Sequence, residues 1–184
     1  MKTPTYLVEL QGISKRFGGV QALQGVSFGI PQGRIHGLVG ENGAGKSTLI
    51  KILGGVHTCD EGNVLFDGRP FVARSPADSL KAGINIVHQE LPLCPNLTVA
   101  QNVFLRSPVT TRFGRMDWNA MNEQTCALFQ RIGQSVDPEA PVGSLSVAEQ
   151  QLTSIVKALR DDCRLLIMDE PTAALTPSEV QNLF

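Results

Sequence analysis

The sequence has 184 residues, 42% of them hydrophobic and 18% charged, with a formal net charge of −1. These values are ordinary for a soluble globular protein, and they give no reason to expect a nucleic acid or an anionic lipid as a partner. The apolar stretches are too short to span a bilayer, and the N-terminus lacks the apolar segment of a secretory signal. The four cysteines are widely spaced, which argues against a disulfide or zinc framework and favours reduced thiols in the cytoplasm.

The first part of the chain predicts three strands before a glycine-rich loop. Two are short, at residues 6–10 and 26–30, and the second ends in a turn at Pro31-Gln32-Gly33. The apolar run at residues 34–39 predicts a buried strand that leads directly into the loop.

The loop fits the pattern G-x-x-x-x-G-K-[ST], which wraps the phosphates of a nucleotide. Its glycines allow a tight turn with several N–H groups aimed at one anion, and the helix predicted at residues 46–53 adds its positive end. Lys46 would reach the terminal phosphates, and the Ser47 hydroxyl suits Mg²⁺. A glycine-rich turn that only caps a helix is the alternative. The residues predicted to bind the nucleotide here are Gly40, Glu41, Asn42, Gly43, Ala44, Gly45, Lys46, Ser47 and Thr48.

The next segment predicts a hairpin, a short helix and a strand. Strands at 63–66 and 69–73 flank the turn Asp67-Gly68, and Ser75-Pro76 opens the helix. The strand at 84–87 is followed by Gln89, whose neutral amide could contact Mg²⁺ or the attacking water, although most loop glutamines are simply solvated.

Residues 91–141 differ in character and predict an inserted helical subdomain with helices at about 98–105 and 117–132. After it, Ser146-x-x-Glu149 forms a capping box that opens an amphipathic helix. A serine in this position presents a hydroxyl and backbone amides to an anion, but on composition alone the segment is only a well-capped helix.

An apolar strand at residues 164–168 runs into Asp169 and Glu170. A carboxylate at the end of a buried strand can hold Mg²⁺, and the second carboxylate can activate water, so Asp169 is the candidate metal ligand and Glu170 the candidate base. A pair of solvated carboxylates is the alternative. A second capping box at residues 176–179 predicts a further helix.

In this order the motifs resemble the ATPase subunits of ABC transporters. The order is phosphate loop, Gln89 loop, helical insert, Leu145-Ser146 signature, and apolar strand followed by Asp-Glu-Pro-Thr. The resemblance covers nearly the whole chain and is strongest to the carbohydrate-importer branch, in which one polypeptide carries two tandem ATPase domains. This chain is similar to the first of them.

The resemblance implies an α/β fold. A P-loop NTPase core would carry an N-terminal antiparallel β subdomain and the inserted helical subdomain, together forming one domain over residues 1–184. The switch histidine of the family would lie beyond Phe184, so we expect the C-terminal part of the core to be missing and the chain alone to be a poor ATPase.

The resemblance also implies roles for individual residues, with ATP and Mg²⁺ as cofactors. Phe17 matches the aromatic that stacks on adenine, although an aromatic that anchors a strand is an equal alternative. The signature would contact ATP held by a second ATPase domain, but Ala148, Glu149 and Thr176 depart from the family's usual glycine, glutamine and aspartate. The implied catalytic residues are Glu170, Lys46 and Gln89, the metal ligands Ser47, Gln89 and Asp169, and the signature residues Leu145, Ser146, Val147, Ala148 and Glu149.

The function expected from the resemblance is ATP hydrolysis that powers import of a small solute, with a sugar as the favoured class. The expected partners are a second ATPase domain, transmembrane permease subunits and, indirectly, an extracytoplasmic solute-binding protein, at the cytoplasmic face of the inner membrane. Two alternatives stay open. One is an ABC-type ATPase that acts on ribosomes or nucleic acid, which the near-neutral charge disfavours. The other is a regulatory nucleotide-binding module without catalysis.

Overall fold

A computed structural model of the chain describes residues 6–41, 43–87, 92–160, 162–169, 177 and 180–181. The chain divides into two compact units, residues 1–84 and 85–184. None of the helices in the described ranges is long and apolar enough to cross a membrane.

The first unit contains a four-stranded antiparallel sheet. Its strands are β1 (Tyr6–Phe17), β2 (Val20–Pro31), β3 (Glu61–Phe66) and β4 (Arg69–Pro70), in the order β2-β1-β3-β4. The long central strand β1 places the buried side chains of Val8, Leu10 and Ile13 in the core of this unit. Strands β1 and β2 extend well beyond their predicted ranges, while the antiparallel subdomain itself is confirmed.

The predicted hairpin between β3 and β4 is confirmed. Asp67 and Gly68 have φ angles of 53° and 71°, and two consecutive positive φ values are what a tight hairpin turn of this type requires. The return strand is shorter than predicted, since β4 ends at Pro70, but the Phe71 N–H still donates to the Val64 carbonyl at 2.8 Å.

The first unit has two helices, of which one begins and ends where the sequence predicts and the other begins at its predicted cap. Helix α1 (Lys46–Leu53) stops at Gly54, whose N–H donates to the Ile50 carbonyl at 2.8 Å. Helix α2 (Pro76–Lys81) is capped by the Ser75 hydroxyl, which accepts a hydrogen bond from the Asp78 N–H. The buried Ser79 hydroxyl of α2 donates to the Leu53 carbonyl at 2.8 Å, which ties the second helix to the end of the first.

The predicted buried strand at residues 34–39 is wrong. This stretch belongs to neither sheet, and Ile35 and Val39 are 70% and 93% exposed. The apolar pattern shows only that the segment is hydrophobic enough to form a buried strand. A strand forms only when its backbone N–H and C=O groups pair with a neighbour, and no described strand pairs with this one.

The second unit combines a two-stranded sheet with three helices. Strands β5 (Ile84–Val87) and β6 (Leu165–Met168) form within the predicted ranges, and the structure shows that they pair with each other. The four residues of β6 are half-buried, whereas the sequence suggested a fully buried strand. The apolar run is therefore more accessible to solvent than its composition implies, because a sheet of only two described strands is small and leaves part of each face uncovered.

The helical part of the second unit confirms the helices predicted at 98–105, at 117–132 and after Ser146 to within about one residue, while the capping box predicted at 176–179 lies largely outside the described residues. Helices α3 (Val99–Phe104) and α4 (Trp118–Arg131) begin at the N-caps Thr98 and Asp117, and α5 (Val147–Leu159) begins at Ser146. These three helices enclose a hydrophobic core, which a short 3-10 helix at Val142–Ser144 also joins. The core residues are Val99, Val103, Phe104, Met121, Phe129, Ile132, Val136, Val142, Leu152 and Val156.

Asn102, in α3, holds the loop that precedes its own helix, and its importance is not evident from the sequence. Its side chain is fully buried and its Oδ1 accepts a hydrogen bond from the Cys94 N–H at 2.7 Å. Its Nδ2 donates to the carbonyls of Cys94, Leu97 and Thr98 at 3.0, 3.3 and 3.1 Å. One amide therefore bonds four backbone groups in the segment that follows the Gln89 loop: it pairs the Cys94 N–H and adds a second donor to three carbonyls that also accept backbone N–H groups.

Candidate nucleotide-binding site

The N-terminus of α1 differs from those of the other helices in the described chain. Helices α2 to α5 each have a side-chain oxygen that accepts a hydrogen bond from a first-turn amide. The N-cap residue of α1 is instead Gly45, which has a left-handed conformation (φ 89°, ψ 3°) and no side chain that could accept such a hydrogen bond. The first-turn N–H groups of α1 are thus left to an external acceptor, and the helix dipole favours an anionic one.

Two glycines in the loop have different structural reasons to be glycine. Gly45 lies against β2, and a Cβ at this position would lie 2.4 Å from the Ala22 carbonyl oxygen and 2.7 Å from Leu23 Cδ2. Gly43 also has a positive φ of 85°, but a Cβ there would meet no atom within 4 Å. The backbone conformation therefore requires both glycines, and the contact with β2 requires only Gly45.

Lys46 folds back over the loop that precedes it. Its Nζ donates to the carbonyl oxygens of Gly40 and Glu41 at 2.6 and 2.9 Å. The Ala44 N–H donates to the Glu41 carbonyl at 3.1 Å and closes the turn. An ammonium group and uncapped amides are thus supplied by one short stretch of chain, with the Ser47 side chain exposed beside them.

Phe17 lies at the end of β1 and is 41% exposed. Its ring meets the His57 ring edge-on, with centroids 5.0 Å apart, and Lys15 Nζ lies 5.6 Å from the Phe17 ring centroid. The ring is therefore partly anchored and partly open. Stacking on adenine and anchoring of the strand both stay consistent with this position.

Asp60 joins the start of β3 to the end of β1. Its carboxylate accepts from Lys15 Nζ at 2.6 Å and from the Arg16 N–H at 2.7 Å. The Lys15 hydrogen bond, followed by the Arg16 amide, holds the pKa of Asp60 below its ordinary value.

The predicted capping box at the start of α5 is confirmed. The Ser146 hydroxyl and N–H donate to one oxygen of the Glu149 carboxylate at 2.7 and 2.9 Å, and the Glu149 N–H is paired with the Ser146 hydroxyl. Within the predicted signature run, Leu145 is half-buried against the helical core and Val147 is 63% exposed. The Glu149 carboxylate therefore occupies the donors that Ser146 would offer to an anion.

Asp169 follows β6 at the edge of the two-stranded sheet. Its N–H donates to the Val87 carbonyl at 3.1 Å, so the ends of β5 and β6 are joined here. The Asp169 side chain is half-buried. The predicted residues Asn42, Gln89, Glu170 and Thr176 lie outside the described residues.

The chain matches the protein family described as "ABC transporter" over residues 23–173. It is 52% identical over 98% of its length to the ribose import ATP-binding protein RbsA 2 of Streptomyces avermitilis, and 49% identical over 97% of its length to a putative ribose/galactose/methyl galactoside import ATP-binding protein of Burkholderia lata. It covers 36% and 34% of these relatives, or about a third of their length. Their names do not favour an ATPase that acts on ribosomes or nucleic acid.

Solved structures show the same fold. The ADP conformation of MJ1267, an ATP-binding cassette of an ABC transporter, superposes with a TM-score of 0.81 and 27% identity over 97% of this chain and 74% of that one. The protein cbiO1 of Clostridium perfringens, part of the transporter complex cbiONQ, superposes with a TM-score of 0.79 and 26% identity over 97% and 71%. The predicted α/β fold of the P-loop NTPase type is confirmed.

Proposed function

Because the chain belongs to the ABC transporter family, we propose that it binds and hydrolyses ATP to power import of a small solute across the cytoplasmic membrane. The favoured solute is a sugar, since the relatives named above are described as ribose or galactose importers. The single structural observation that carries the proposal is the uncapped N-terminus of α1 beside Lys46.

Nucleotide binding follows from the chemistry of this loop. The first-turn amides of α1 would donate to phosphate oxygens, which are better acceptors than water because they are charged. Lys46 would exchange its two neutral carbonyl acceptors, on Gly40 and Glu41, for phosphate oxygens. The exchange strengthens both of its hydrogen bonds and needs no large movement of the backbone. Phe17 would contact the base.

The remaining residues divide between metal binding, water activation and contact with a second nucleotide. Ser47, Gln89 and Asp169 have oxygen donors of the kind that Mg²⁺ prefers, and they are the proposed ligands. When bound, the ion supplies charge neutralisation between the phosphates. Glu170 is the proposed base that orients and deprotonates water.

In this proposal the signature residues 145–149 contact ATP held by a second ATPase domain. Permease subunits transmit domain closure to the transported solute, and a solute-binding protein delivers that solute on the other side of the membrane. The chain would then work at the cytoplasmic face of the membrane without crossing it. The naming of its relatives as import ATP-binding proteins supports this placement.

Nucleotide binding is tested by titrating the chain with a fluorescent ATP analogue and Mg²⁺. We expect Lys46→Ala to weaken binding by about 10-fold to 100-fold, the loss of a charged hydrogen bond of about 1.5–3 kcal/mol. Lys51→Ala is the matched control, because Lys51 is an exposed lysine in the last turn of the same helix. Equal affinities for the two variants would contradict the assignment of the loop.

Catalysis and transport are tested in the assembled transporter that contains this chain. Glu170→Gln should retain ATP and stop its hydrolysis, which separates a catalytic domain from a regulatory one. A sugar presented by its binding protein should stimulate ATP turnover. Salt-dependent retention on RNA, together with no response to sugar, would instead favour the nucleic-acid alternative.

A further inference from the structure

A small hairpin between α3 and α4 is not used by the proposed function. Thr110 and Met116 form an isolated antiparallel bridge, and the Thr111 N–H donates to the Arg115 carbonyl at 2.7 Å. Gly114 turns the chain with a φ of 74°. We refer to residues 110–116 as the arginine hairpin.

The tip of the arginine hairpin exposes a large aromatic side chain between two cations. Phe113 is 89% exposed, which is more than any other large aromatic residue in the described chain. Arg112 and Arg115 are exposed on either side of it. A Cβ built on Gly114 would meet no atom within 4 Å, so the space around the tip is open. An aromatic ring held in water at the end of an ordered turn is a candidate contact surface.

Positive charge accumulates around this tip although the whole chain is close to neutral. Residues 91–116 contain three arginines, Arg106, Arg112 and Arg115, and no aspartate, glutamate or lysine. Among the described residues no carboxylate lies within ion-pair distance of any of the three. Asp117 follows directly at the base of the hairpin, so residues 91–117 carry a net charge of +2, which is available to an external anionic surface.

The shape and the chemistry of the tip together favour a flat partner. An exposed tight turn with free space beside Gly114 offers no groove at its tip for a peptide, but it can rest on an extended surface. Guanidinium groups donate to phosphate oxygens in pairs, and an aromatic ring enters the boundary between lipid headgroups and acyl chains. A bilayer that carries anionic headgroups offers all of these partners at once.

We propose that the arginine hairpin is a membrane-contact site that binds anionic phospholipid headgroups through Arg112 and Arg115, with Phe113 inserted at the interface. The site adds to nucleotide binding and does not depend on it. One hairpin supplies weak affinity, which becomes effective when other contacts already hold the protein at a membrane.

The proposal is tested by sedimentation of the chain with vesicles of neutral phosphatidylcholine, with or without about 30% phosphatidylglycerol. We expect binding to the anionic vesicles only. Arg112→Gln/Arg115→Gln should lower the partition coefficient about 25-fold, or about fivefold for each arginine. Phe113→Ala should also lower it while leaving the charge unchanged. Trp118, the only tryptophan of the chain, lies five residues from Phe113 and should report binding by a blue shift of its emission.

The matched control is Arg69→Gln/Arg74→Gln in the first unit. Those two exposed arginines flank Val72, which is 69% exposed, so the control also removes two charges beside an exposed apolar residue. We expect the control to bind as the parent does. An equal loss in both double variants, equal binding to neutral vesicles, or displacement by inorganic phosphate would each overturn the proposal. Displacement by soluble polyglutamate at low concentration would instead assign the hairpin to an acidic protein partner.

Discussion

The two glycines of the phosphate loop allow a prediction in which one position serves as the control for the other. In Gly43→Ala the new side chain meets open space, so the cost is that of a left-handed alanine, about 1–2 kcal/mol. In Gly45→Ala the same strain is joined by a collision with the Ala22 carbonyl and Leu23 Cδ2. Forcing an added carbon into a packed site costs a further 1–3 kcal/mol or so.

The expected loss of stability is therefore about 1–2 kcal/mol for Gly43→Ala and about 2–5 kcal/mol for Gly45→Ala. In a chain of this size, each kcal/mol lowers the melting temperature by roughly 2–4 °C. Thermal unfolding followed by circular dichroism should show the larger decrease for Gly45→Ala. The same variant should bind the fluorescent ATP analogue more weakly, because the start of α1 must move away from β2. Equal melting temperatures for the two variants would refute the claim that α1 is positioned by this contact.

Three further predictions concern other parts of the chain. Asn102→Leu should cost about 1–3 kcal/mol in urea unfolding, because it leaves the Cys94 N–H without its acceptor while the three carbonyls keep backbone donors; a loss below about 1 kcal/mol would show that water replaces the amide. Glu149→Ala should destabilise the chain by about 0.5–2 kcal/mol through loss of the capping box, and Glu149→Gln by less. Because the pKa of Asp60 is lowered on folding, its carboxylate stabilises the folded chain at pH values above its ordinary pKa of 3.8. This stabilisation should be lost as the pH falls through the lower pKa of the folded state. In Lys15→Met an NMR titration should show the Asp60 pKa returning towards 3.8, and an unchanged pKa would assign the shift to the Arg16 amide alone.

Local signals in the sequence predicted most of the helices and turns. Ser75, Thr98, Asp117 and Ser146 cap the helices that were expected after them, and Asp67-Gly68 forms the expected turn. Caps and tight turns depend on residues within about four positions of one another, so the sequence contains all the necessary information. The phosphate loop is recognisable for the same reason.

Pairing between distant segments was predicted less well. The run at 34–39 has the composition of a buried strand but lies outside both sheets, while β1 and β2 continue well past their apolar centres. Whether a segment becomes a strand depends on a neighbour that is remote in sequence, and no local pattern contains that information. The four hydrogen bonds of Asn102 are not evident from the sequence for a different reason, since its partners are near in the chain but belong to an irregular loop.

Charge shows the same division between sequence and tertiary structure. The net charge of −1 means that the chain as a whole has no excess of positive charge to attract an anionic partner. Arg112, Phe113 and Arg115 are close neighbours in the sequence, and the structure adds that all three are exposed and that no described carboxylate pairs with the two arginines. The sequence alone determined the family, through the order of its motifs along the chain, and most of the helix boundaries, because caps depend on residues that are near neighbours in the chain. The tertiary structure decided that Gly45 contacts β2 and that residues 34–39 join neither sheet, because these depend on distances between remote segments that only folding sets.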